Sequence, residues 1–92
     1  MAAPDEIDKA ALDAAFGRAL RSIRLERGIS QEALGLACGR HRTFVSILER
    51  GTHGASLETV VRLARGLDVR PSELVRRPRT SSRAERPVPA ST

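Results

Sequence analysis

Residues 28–51, GISQEALGLACGRHRTFVSILERG, decide the reading of this 92-residue chain. Ser30 followed by Gln31 and Glu32 is an N-cap, because the hydroxyl can accept from a first-turn amide and Glu32 sits near the positive end of the helix dipole. Leu34, Ala37 and Cys38 then fall at i, i+3 and i+4, the spacing of one apolar helix face. Gly35 leaves room for a second helix to cross closely, and Gly39 can take the left-handed conformation of a tight turn. The spacing predicts helices over about 31–37 and 42–49, with Gly51 as C-cap of the second. Val45 and Leu48 lie three apart and share the buried side with Leu34, so Arg42, Thr43, Phe44, Ser46 and Ile47 are expected on the exposed side. This is a helix-turn-helix, a unit that holds its second helix where its first side chains can enter a DNA major groove.

Outward from this core the chain stays helical. A first helix is expected from about Asp8 or Leu12 to Arg27, ended by Gly28, with Leu12, Phe16, Ala19, Leu20 and Ile23 as its apolar stripe and Gly17 as a weak point. After a loop at 51–55, Ser56 starts a fourth helix that buries Leu57, Val60, Val61 and Ala64 and stops at Gly66. Pro71 opens a last short helix carrying Leu74 and Val75. The expected fold is all-α, a compact bundle of five short helices over residues 8–75. Residues 1–7 form a flexible leader. Residues 76–92, rich in Arg, Pro, Ser and Thr with little to bury, form a basic tail expected to be disordered.

Length and composition narrow the function classes. Ninety-two residues give one domain, whose small core is marginal unless it is all-helical or dimeric. No apolar run approaches the ~20 residues needed to cross a membrane, and the acidic N-terminus lacks the pattern of a secretory signal. A cytoplasmic protein is expected. The single Cys38 forms no internal disulfide and reads as core packing rather than redox sensing. Residues 1–15 carry one Lys against four acids, residues 16–75 ten Arg against six acids, and residues 76–92 five Arg against one Glu. An acidic leader followed by a basic body and tail suits a polyanion, although such a balance also serves solubility.

The chain resembles the Cro/repressor-type helix-turn-helix family, also called XRE. The matching residues are Phe16-Gly17, Leu20-Arg21, Arg24, Gly28-Ile29-Ser30-Gln31-Glu32, Leu34, Gly39, Ser46, Glu49-Arg50-Gly51, Ser56-Leu57-Glu58-Thr59, Leu63-Ala64 and Leu67, within residues 12–75. Arg42-Thr43-Phe44-Val45-Ser46 is also similar to the Arg-Thr-Tyr-Ile-Ser run of restriction–modification controller proteins. Three positions depart from the family: Arg40 replaces an apolar turn residue, Gly54-Ala55 replaces Asn-Pro, and Gly35 replaces Ala.

The resemblance implies a lambda-repressor-like DNA-binding fold and a transcriptional regulator that binds an inverted-repeat operator in double-stranded DNA as a homodimer. It implies that Arg24 and Glu49 form a structural ion pair, the alternative being two solvated charges. It implies base contacts from Arg42, Thr43, Phe44 and Ile47, where an Arg can bridge two acceptors on guanine and Phe or Thr can pack on a thymine methyl. For Arg42 the alternative is a phosphate contact, and for Phe44 partial burial. Gln31 is implied to bond a phosphate while bracing the first residue of the recognition helix, or is an ordinary polar first-turn residue; Ser46 and Arg50 are placed for phosphates. Leu67, Val69, Leu74 and Val75 are either the dimer surface or a continuation of the monomer core. His41 and His53, without nearby Cys or acidic clusters, make no metal site, and no cofactor motif or nucleophile–base set points to an enzyme. A rival reading is an antitoxin or other interaction module whose tail holds a protein partner.

Overall fold

Four side chains fix where helices begin. Asp8, Ser30, His41 and Ser56 hold extended backbone, and each accepts a hydrogen bond from an amide of the following turn, respectively Ala11 at 3.2 Å, Ala33 at 3.0 Å, Thr43 at 3.1 Å and Thr59 at 3.1 Å. They open α1 (Lys9–Glu26), α2 (Gln31–Ala37), α3 (Arg42–Glu49) and α4 (Leu57–Leu67). A proline at its first position opens α5 (Pro71–Arg76), where its missing N–H costs nothing. The computed structural model describes residues 7–76, and every regular element among them is a helix. The leader and basic tail, apart from Ile7 and Arg76, lie outside the described residues.

All five helices feed one core. Phe16, Leu20 and Ile23 of α1 meet Leu34 of α2, Val45 and Leu48 of α3, Leu63 and Leu67 of α4, and Leu74 of α5. A fully buried large aliphatic side chain stabilises by ~1.5–3 kcal/mol, whereas a cap is worth about 1, so the caps set boundaries and the core holds them together. Cys38 belongs to this core, and burial pushes its thiol above the ordinary pKa despite the nearby charges of Arg62 and Arg40.

Close helix crossings depend on absent side chains. A Cβ at Gly17 would collide with the carbonyl oxygens of Leu48 and Glu49, so this residue seats the end of α3 on α1 rather than weakening the helix. A Cβ at Gly35 would stand 3.0 Å from the Arg40 carbonyl oxygen and 3.1 Å from the Arg42 nitrogen, which is why the turn passes so near α2. Gly39, at φ 72°, makes that turn.

Several expectations change. Gly66 does not stop α4; it lies within the helix, where a Cβ would stand 2.9 Å from Leu34 Cδ1. The stop is Asp68, left-handed at φ 60°, a conformation that Asp tolerates better than most residues. Arg27 caps this end from across the fold, donating from Nε to the Leu67 carbonyl at 3.0 Å and from Nη2 to the Asp68 carbonyl at 3.1 Å. Leu12 and Leu57, expected on buried stripes, are 42% and 78% exposed. Each lies in the first or second turn of its helix, where few neighbours remain to cover it.

Candidate DNA interface

The site is α3 together with what holds it. Glu49, its last residue, accepts from Arg24 Nε at 2.5 Å and Arg24 Nη2 at 3.1 Å, a two-pronged ion pair whose side chains are 8% and 4% exposed. The third nitrogen of Arg24 donates to the Ile29 carbonyl at 2.9 Å, so one guanidinium ties α1, the α1–α2 link and α3 together. Gln31 Nε2 also donates to Glu49 at 3.0 Å. Gln31 lines one groove with Arg42, Arg21 and Arg24, yet its amide nitrogen bonds the last residue of α3, where the resemblance implied support for the first. Arg21, one of the family-matching residues but given no role by the resemblance, reaches Glu49 at 3.9 Å with an exposed side chain.

The opposite end carries chemistry outward. Arg42 and Thr43 are exposed, while Val45 and Leu48 are fully buried. His41 Nδ1 meets both the amide of Thr43 at 3.1 Å and its hydroxyl at 2.9 Å, so the N-cap also restrains Thr43. Arg50, the C-cap residue, is exposed, while Ser46, Ile47 and Phe44 are half-buried rather than fully on the open side. In a helix this short, residues flanking Val45 and Leu48 are drawn partly under the surface. Phe44 packs against the core and carries the Arg40 guanidinium over its ring, 4.4 Å from the centroid.

The proposed dimer residues divide. Leu67 and Leu74 are fully buried in their own protomer, so they belong to the monomer core and are removed from the dimer surface. Val69 is half-buried against that core, and Val75 is 60% exposed. Position along α4, α5 and their link could not distinguish these cases, because the packing of α2 on α4 and of α1 on α5 decides which side is covered.

The helix-turn-helix domain family matches residues 15–77, which span α2, α3 and their supports. The chain is a helix-turn-helix protein of the Cro/repressor type. Control protein C.BamHI of Bacillus amyloliquefaciens is 41% identical over 61 residues, 65% of this chain and 75% of that protein. Among solved structures, the restriction-modification controller protein C.AhdI of Aeromonas hydrophila superposes with a TM-score of 0.71 at 40% identity, over 74% of this chain and 99% of that one. The clp gene regulator ClgR of Corynebacterium glutamicum gives 0.73 at 26% identity, over 89% and 83%. This helix-turn-helix family comprises DNA-binding regulators rather than enzymes. Among the described residues no group of three or more His, Cys, Asp or Glu could hold a metal ion, and no helix is long and apolar enough to cross a membrane.

Proposed function

We propose that the protein is a sequence-specific transcriptional regulator that binds an inverted-repeat operator as a homodimer, each α3 entering the major groove of one half-site. The observation that carries this reading is the division of α3: Val45 and Leu48 are committed to the core, Glu49 is clamped, and Arg42 and Thr43 stand in solvent. Arg42 is assigned to a base, Thr43 and Ile47 to adjoining base contacts, and Gln31, Ser46 and Arg50 to phosphates, which position a protein without reading sequence. The similarity to C.BamHI and C.AhdI favours a controller role over an interaction module. That rival rests on residues 76–92, of which 77–92 lie outside the described residues.

With Leu67 and Leu74 withdrawn, the dimer surface is assigned to the exposed Val75 and Leu12, which rim a shallow groove floored by the core residues Phe16 and Val60 and edged by Asp13 and Ala55. Selection of bound duplexes from a random pool at fixed salt tests both parts. The expected product is a palindromic consensus whose half-sites lie about 10 bp apart or a multiple of that. A single unrepeated half-site would overturn the dimer, and failure to enrich any sequence would overturn specific recognition.

A further inference from the structure

Arg40 occupies a turn position where the family resemblance leads one to expect an apolar side chain, and here it is exposed. Among the described residues no carboxylate lies within ion-pair distance of it; its guanidinium is held over the Phe44 ring at 4.4 Å. The spacing of four brackets the N-cap His41, so the stack spans the join between turn and recognition helix. Arg42, two residues on, is exposed beside it, and Glu32, Leu36, Gly39 and His41 complete the groove that the two arginines line.

We infer that Arg40 is a further DNA contact, to a backbone phosphate, and that Phe44 is its positioning residue rather than a base reader. This rests on the proposed function. A guanidinium lying on an aromatic face loses rotational freedom but keeps its donors around its edge, in the plane of the group. That edge suits the paired oxygens of a phosphate. Arg40 precedes α3, so with α3 in the groove it stands at the groove wall, where the backbone runs, rather than over the base edges. Phe44 is half-buried with its ring face occupied by Arg40, which makes it a platform and explains why an aromatic side chain is kept at the surface. Glu32 is the carboxylate facing this groove, and it opposes phosphate approach on the α2 side.

The test measures affinity for the selected operator and for a random duplex across a salt series, using the full chain. Arg40→Ala should weaken both by about tenfold and flatten the slope of log affinity against log salt by about one. Phe44→Leu keeps the charge and should weaken binding less, and it should cost nothing further in the Arg40→Ala background. Arg40→Lys should keep the slope and lose affinity, since the charge remains and the planar stack does not. Helical circular dichroism and melting temperature of each variant identify any loss due to unfolding; if Phe44→Leu unfolds the chain, Phe44→Met provides the second arm. Unchanged affinity and slope in Arg40→Ala would overturn the phosphate contact, and independent, multiplying losses from the two sites would overturn the positioning role. Absence of DNA binding by the unaltered protein would instead refute the function on which the inference rests.

Discussion

At the C-terminal end of α3, Glu49 is nearly sealed from water and receives donors from Arg24 and Gln31; roughly 10 Å away, at the 1.5 Å rise of a helix residue, Arg42 and Thr43 stand open with only the His41 cap behind Thr43. One end is fixed by long-range ionic bonds and the other by local ones. The direction of α3 is therefore set by residues outside the set proposed to contact bases, and substitutions at Arg42 and Thr43 should leave the helix in place. On the proposed function, this separation would let one scaffold serve different operators.

Breaking the fixed end should have the largest effect. Arg24→Ala leaves the Glu49 carboxylate buried with Gln31 as its remaining short-range donor, and stranding one member of a buried pair costs ~3–5 kcal/mol. Thermal melting should show it directly, and an unchanged melting temperature would mean that water or Arg21, 3.9 Å from Glu49, already supports the carboxylate. Gly17→Ala attacks the same end through space alone. Alanine ordinarily improves a helix interior by about 1 kcal/mol over glycine, but here the added Cβ meets the Leu48 and Glu49 carbonyls. The sign should reverse, to a loss of ~1–3 kcal/mol; a more stable variant would show that α3 can shift at no cost.

The open end should respond differently. Arg42→Ala is expected to leave melting unchanged and to lose ~1–3 kcal/mol of discrimination between the operator and its single-base variants. Equal losses on every duplex would make Arg42 a phosphate contact. Arg50→Ala should have the smallest consequence, a weakening common to all sequences with a salt slope shallower by about one. A change in base preference there would move the reading surface toward the C-terminal end of α3.

What could be read in the sequence was what is local. Ser30 and Ser56 cap helices through contacts three residues away, and the bounds of α2 and α3 follow from their apolar spacing and from Gly39. Non-local features were hidden. Gly66 looks like a helix stop in sequence, but its smallness serves Leu34 on another helix. Leu67 and Leu74 look no different from surface leucines until the whole core closes around them. The Arg27 cap on α4 has no sequence signal at all, and Arg40 over Phe44 showed only as a departure from the family beside an unexplained aromatic.

The last turns of α1 also impose an order in time. Arg24 meets an acceptor 25 residues further along the chain, and Arg27 meets one 40 residues further. Because synthesis proceeds from the N-terminus, both guanidinium groups exist before the oxygens they will hold have been made. α3 gains its fixed end only after residue 49 has emerged, and the Arg27 cap closes only after residue 67. A nascent chain released early would therefore carry two arginines without their long-range acceptors, an α1 whose apolar stripe is still uncovered, and no oriented α3.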